Sequence, residues 1–172
     1  MTGAPALFDP AVAPIDRFRG QWGFLSNYAD PAVLTWEGLQ YRTSEHAFNA
    51  GKTLDPAIRA WVAAAPTANE AKRRGNDRTR TVLRPGWDET VRFQVMGEVV
   101  HAKFTTHPAR TQALLSTGDR ELVEGNTWHD VVWGRCVCAR HGGVGQNQLG
   151  LTLMRLRDQL LREPTHARLD IT

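Results

Sequence analysis

The sequence predicts a mainly α fold: a single multihelical domain with one small β-hairpin. Three observations lead to this reading. Helix start signals recur along the chain, at Thr43-Ser44, Asp55-Pro56, Thr67 to Glu70 and Asp88. Apolar residues are spaced three and four apart over long stretches of the second half, as one buried helix face requires. Only Val33 to Tyr41 reads as strand, turn and strand, with Glu37-Gly38 at its centre. A length of 172 residues fits one domain with a sizeable core.

Taken in order, residues 1–16 are rich in Ala and Pro and read as a flexible leader, 17–163 as the domain, and 164–172 as a C-terminal tail. After the hairpin, Thr43 or Ser44 caps a helix that begins near Ser44. Asp55-Pro56 places a capping carboxylate before Pro at the first helical position, and Pro66 closes that helix. Thr67-Ala68-Asn69-Glu70 has the capping-box pattern, with Gly75 as the stop. Asp88 opens a long helix with Val91, Val95, Val99 and Ala102 as its buried stripe. Pro108 to about Ser116 forms another helix, ending before Gly118. The final helix carries Leu149, Leu153, Leu156 and Leu160 at core spacing. Between Glu124 and Gly150 the periodicity disappears and glycines and aromatics accumulate, which in a compact domain marks a functional loop. Neither an internal repeat nor a linker is evident.

Composition narrows the function classes. Hydrophobic content of 41% and charged content of 23% are ordinary globular values. The chain has no apolar run long enough to span a membrane and no export signal, so a cytoplasmic location without membrane association is expected. The two cysteines, Cys136 and Cys138, are too close in sequence to favour a disulfide, which fits a reducing compartment. Net charge is only +3, yet Lys72, Arg73, Arg74, Arg78, Arg80 and Arg84 fall within thirteen residues. Such a run attracts phosphate-bearing ligands, although a solvated helix face has the same composition.

The most informative stretch runs from Thr43 to Lys52. Glu45 and Lys52 are seven residues apart, two turns of one helix, with Asn49 between them on the same stripe. A carboxylate and an amine presented together suit acid, base or covalent chemistry; a surface charge pair is the plain alternative. Other chemistries find little support. Cys136-x-Cys138 with nearby His141 departs from Cys-x-x-Cys zinc spacing and lacks a second cysteine pair, so these residues read as loop packing and no metal is expected. No nucleophile elbow, phosphate-binding loop or dinucleotide fingerprint occurs. The remaining set of carboxylates, an amine, a basic stretch and three tryptophans (Trp22, Trp87, Trp133) suits a ligand with a flat ring and phosphates. Asn147, just ahead of the last helix, can cap it or bind a sugar hydroxyl.

The motifs, read together, resemble one family. Phe24-Leu25-Ser26-Asn27-Tyr28 and Thr43-Ser44-Glu45-His46-Ala47-Phe48 with Lys52 are similar to the opening motifs of the NADAR (YbiA-like) family. The similarity continues through Glu70-Ala71-Lys72-x-x-Gly75, Arg84-x-x-Trp87-Asp88, Met96, Lys103-Phe104 and Leu114-Leu115-x-Thr117-Gly118. It ends with Leu122-Val123-Glu124, Asp130-x-x-Trp133-Gly134 and Asn147-x-Leu149-Gly150-x-x-Leu153-Met154-x-x-Arg157, and so spans residues 18–161. Asn49 departs from the Gln common in relatives, and Cys136 to His141 fills a variable loop.

This resemblance implies a multihelical YbiA-like fold and an N-glycosidase that needs no cofactor and acts as a monomer. One branch of the family removes ADP-ribose from guanine in nucleic acid; the YbiA-like branch hydrolyses phosphoribosylamino-pyrimidine intermediates of riboflavin synthesis. ADP-ribosylated guanine, in nucleic acid or nucleotides, is the substrate the basic stretch favours. In both substrates the sugar sits on an exocyclic amine, so the glycosylamine can open to an imine that a lysine attacks. The resemblance gives Lys52 that role and Glu45 the proton transfer; in a closed-ring route Asp130 or Glu45 faces an oxocarbenium ion. Substrate contacts are expected from Phe24, Ser26, Asn27, Arg73, Arg74, Arg78, Trp87, Trp133, Gly134 and Asn147. A non-catalytic reader of ADP-ribose or nucleic acid is the alternative of another class.

Overall fold

The computed structural model describes residues 6–163; the predicted tail, 164–172, and the first five residues of the predicted leader lie outside them. The chain divides into two compact units, one of residues 18–110 and one built from the segments on either side.

Within residues 18–110, a 3₁₀ turn over Gly20–Leu25 leads to an antiparallel hairpin, β1 (Leu34–Trp36) and β2 (Leu39–Tyr41). Glu37 and Gly38 turn it with φ of 45° and 76°, the two positive values that a two-residue hairpin turn needs. Helix α1 (Ser44–Ala50) follows, and Thr43 caps it by accepting a hydrogen bond from the His46 amide. Asp55 caps α2 (Pro56–Ala63) through the amides of Ala57 and Ile58. Thr67 caps α3 (Ala68–Asn76) through Glu70 N–H. The capping box forms only in this half, because the Glu70 carboxylate turns instead to Arg73 and Arg74.

Two helix boundaries differ from the sequence reading. Gly75 does not stop α3, which runs on to Asn76. A Cβ at Gly75 would lie 2.7 Å from Asn49 Cβ, so this glycine lets α3 press against α1. The long helix does not begin cleanly at Asp88. A π-helical turn, Trp87–Val91, precedes α4 (Arg92–Thr105). That extra turn rotates the buried face to Val95, Met96, Val99, Val100, Lys103 and Phe104, leaving Val91 and Ala102 only half-buried.

Helix α5 (Pro108–Leu115) contains the division between the units. In the second unit, β3 (Gly125–Asn126) and β4 (Arg135–Cys136) form a short parallel pair, and α6 (Gln148–Arg162) buries Leu149, Leu153 and Leu156. Leu160 is half-buried. The described part of the leader is not loose. Ile15 is buried and bridges to Leu122, with Ile15 N–H donating to Glu121 O at 2.8 Å and Val123 N–H to Ile15 O at 2.8 Å. Upstream, Leu7 O accepts from Arg157 at 2.9 Å. An isolated apolar residue among Ala and Pro gives no periodic signal, so this pairing was invisible in composition.

Candidate active site

Helix α1 is buried along its whole length, unusual for a segment carrying Glu, His and Asn. Its polar groups are met by neighbours. Glu45 N–H donates to Asn27 O at 3.0 Å, which satisfies one of the open amides of the first turn and ties the Ser26-Asn27-Tyr28 loop to the helix. The Glu45 carboxylate is buried and accepts from Asn49 Nδ2 at 3.0 Å. Tyr28 also hydrogen-bonds Glu45. Burial, and then the carboxylate's charge and hydrogen bond, push the phenol well above its ordinary range, so it remains protonated. His46 serves structure: its ring is fully buried, and its nitrogens lie 2.7 Å from Thr43 Oγ1 and 3.1 Å from Ala65 O.

Lys52 lies just beyond α1, not on it as the spacing predicted. The helix ends at Ala50, and a turn follows in which Lys52 N–H donates to Asn49 O at 3.4 Å. The side chain is only 7% exposed. Its Nζ donates to Asn76 Oδ1 at 2.6 Å and lies 5.8 Å from the Phe48 ring centre. Burial pulls its pKa down to about 8; Arg78 and Lys72 add to the fall, and Glu45 and Asp88 partly oppose it. A buried amine near neutrality in its basicity, with a buried carboxylate close enough to feel its charge, is the equipment of nucleophilic or proton-transfer catalysis.

The basic stretch splits in two. Arg73 and Arg74 both bind Glu70, at 2.7 and 2.9 Å, and Arg74 also donates to Trp61 O at 2.6 Å. The two arginines hold the Glu70 carboxyl down at a pKa of about 2. Arg73 is paired within α3 while its side chain stays largely exposed, and Arg74 ties α3 to α2. Lys72 and Arg78 are exposed and act electrostatically on Lys52. The Lys72 ammonium lies 6.0 Å from the Tyr28 ring centre, and Arg78 donates to Gly75 O at 3.2 Å.

Of the remaining predicted contacts in this unit, Phe24 packs edge-on against Phe104 with centroids 6.4 Å apart. Ser26 accepts from the Tyr28 amide at 3.1 Å, and its carbonyl accepts from the buried Lys103 ammonium at 2.7 Å. Asn27 is buried, donates to Met96 Sδ at 3.3 Å, and has an amide oxygen without a hydrogen-bond partner. An orphaned acceptor beside Glu45 is costly unless something else binds it. Trp87 is 5% exposed and packs against Phe48 with ring centres 5.3 Å apart and planes tilted by 46°. It is a core residue that supports Phe48, not an exposed stacking platform. Tyr28 and Asn76 belong to this constellation and were not predicted for it. Tyr28 lay within a recognised motif, whereas Asn76 carried no signal beyond its place at the end of the basic helix.

The second unit holds the other candidates. Asp130 closes a tight turn, its Oδ1 accepting from Val132 N–H at 3.0 Å and Trp133 N–H at 2.8 Å. Its backbone is clasped by Asn126, which donates to Asp130 O at 2.7 Å. Trp133 is half-buried. A Cβ at Gly134 would strike Glu124 O at 2.0 Å, so this glycine serves backbone packing. Asn147 does not cap α6 with its side chain. It is buried, accepting from Glu124 N–H at 3.0 Å and donating to Leu122 O at 2.8 Å.

Residues 17–161 match the NADAR domain model. The chain is 39% identical over 142 residues to the N-glycosidase YbiA of Escherichia coli, covering 83% of this chain and 84% of that protein. It is 38% identical over 142 residues to an N-glycosidase of Nostoc punctiforme, covering 81% of this chain and 86% of the relative. A riboflavin biosynthesis protein of Vibrio vulnificus is 33% identical over 138 residues, 80% of this chain but 35% of that longer protein. The NMR structure of E. coli YbiA matches with a TM-score of 0.69 and 30% identity, over 98% of each chain. The chain belongs to the NADAR domain family, the family of the YbiA N-glycosidases.

Proposed function

We propose that this protein hydrolyses the bond between a ribose and an exocyclic amine of a heterocycle, with Lys52 as nucleophile and Glu45 as proton carrier. The observation that carries this reading is the buried Lys52 ammonium, held by Asn76 and brought down to a pKa of about 8. The ring-opened glycosylamine is an imine at C1. Lys52 Nζ adds to C1, the bond from C1 to the heterocycle's nitrogen breaks, and that amine leaves with a proton passed through Glu45. Water then cleaves the lysine imine, releasing the sugar and restoring the amine. Tyr28 and Asn49 orient the Glu45 carboxylate.

For the substrate, a phosphoribosylamino-pyrimidine is favoured. The relatives include proteins named for riboflavin biosynthesis, and the pairing of Arg73 and Arg74 with Glu70 shortens the basic tract that a nucleic acid would need. ADP-ribosylated guanine is the second reading, supported by Lys72 and Arg78, which remain exposed near Lys52. Turnover of both compounds by one preparation separates them. Borohydride added during turnover should leave a reduced sugar adduct on the peptide containing Lys52, and Lys52→Arg should be inactive and untrapped. Binding of ADP-ribose without hydrolysis of either compound would make the protein a reader instead. An active Lys52→Arg variant with no adduct would move the reaction to the closed-ring route.

A further inference from the structure

In the second unit, four side chains converge for which the proposed glycosidase chemistry has no use. His129, Cys136, Cys138 and His141 each offer one ligand atom, and these atoms all lie within 4.8 Å of one another. Cys136 Sγ is 3.1 Å from Cys138 Sγ; Cys138 Sγ is 3.3 Å from His129 Nδ1 and 3.3 Å from His141 Nδ1; the two Nδ1 atoms are 3.3 Å apart. Atoms bound tetrahedrally at about 2.3 Å for sulfur and about 2.0 Å for nitrogen stand roughly 3.3–3.8 Å from each other. The contacts are close to that pattern.

We propose that His129, Cys136, Cys138 and His141 form a structural zinc site. The local chain is arranged to gather them. Gly143 N–H donates to Cys136 O at 2.7 Å, and His141 N–H to Cys138 O at 3.0 Å, so the turn after β4 folds His141 back over the sulfurs. His129 comes from the loop after β3 with φ of 69°, a left-handed conformation that costs energy for a residue with a side chain. Sequence spacing identified three of these residues and missed His129, which the β3–β4 pairing delivers. Without the fourth donor, Cys-x-Cys and His141 read as packing; with it, the set becomes Cys₂His₂.

The donor chemistry selects the ion. Two thiolates with two imidazoles in a four-ligand cluster favour Zn²⁺ over the hard cations that prefer oxygen. Four protein donors close the coordination sphere, so the ion holds structure and activates no water. Binding displaces the two thiol protons and leaves both histidines neutral. What the ion fixes is the loop from 129 to 141, and with it Asp130 and Trp133. A disulfide is the competing fate of the cysteines, but both are free thiols here, and neighbours two apart bridge poorly.

The test is the metal content of the full chain purified with reductant and without chelator. Zinc on the order of one ion per chain is expected. Chelator-treated protein given Co²⁺ should show the visible bands of a tetrahedral site with thiolate-to-cobalt charge transfer in the ultraviolet. Added Zn²⁺ should raise its Tm. Cys138→Ser and His129→Ala, at half-buried and exposed positions, should keep the fold by circular dichroism and lose the cobalt spectrum. They serve in place of Cys136, whose burial makes its replacement hard to interpret. Metal-free protein that gives no cobalt bands and no Tm response overturns the proposal. So does a chain lighter by two hydrogens, in which the cysteines have bridged under reducing conditions.

Discussion

Lys52 is an ammonium in a place that disfavours charge, which has two measurable consequences. Its folded pKa of about 8 lies below its ordinary 10.5, so between those values the unfolded chain binds a proton that the folded chain has lost. Stability attributable to this residue therefore rises with pH from about 8 to about 10.5, by on the order of 3 kcal/mol at most. Below about 8 both states are protonated, and the folded protein bears the whole cost. Chemical denaturation across that window should show the rise in the wild type and a flatter profile in Lys52→Met. For activity, kcat/KM should climb as Lys52 deprotonates, with an apparent pKa near 8. A profile flat through that range would contradict a lysine nucleophile. Glu45→Gln retains a hydrogen-bond acceptor for Asn49 and removes proton transfer. It should keep the fold and most substrate affinity while kcat falls by roughly a hundredfold or more, read from steady-state kinetics beside a binding titration.

Among the elements, the starts of α1, α2 and α3 were legible, whereas the start of α4 and the ends of α1 and α3 were not. Thr43, Asp55 and Thr67 cap as their local sequence demands, because a cap is a contact over three residues. Where α1 stops, and where Gly75 sits, depends on what packs against them. The seven-residue spacing of Glu45 and Lys52 suggests two turns of one helix, whereas the structure ends the helix at Ala50 and buries the lysine beside Asn76 of α3. The site was legible where a motif held both partners, as for Tyr28 and Glu45. It was illegible where a partner came from elsewhere, as for Asn76 with Lys52 and Trp61 O with Arg74. Gly75→Ala tests the packing of α1 on α3 directly. The new methyl would force Asn49 aside, and a loss of about 1–3 kcal/mol is expected in denaturant melts. Because Asn49 orients Glu45, kcat should fall as well, even at temperatures where the variant is fully folded.

For the molecule as a whole, the formal charge of +3 overstates the reach of its basic tract. Two of the six cations between Lys72 and Arg84 are bound by Glu70, and the Arg80 guanidinium lies 4.5 Å from the Trp61 ring centre. A small phosphorylated substrate should therefore show kcat/KM changing by less than about threefold between roughly 50 and 200 mM salt, against the far steeper loss typical of nucleic-acid ligands. The leader has a practical bearing on how the protein is produced. A recombinant fragment trimmed to the family-matching boundary at residue 17 would discard Ile15 and Leu7, which supply a bridge to Leu122 and an acceptor to Arg157. Arg157 is 2% exposed, and removing one of its acceptors leaves a buried cation less well satisfied, so such a fragment should melt at a lower temperature than the full chain. An affinity tag fused directly ahead of Leu7 would crowd the segment that closes over α6.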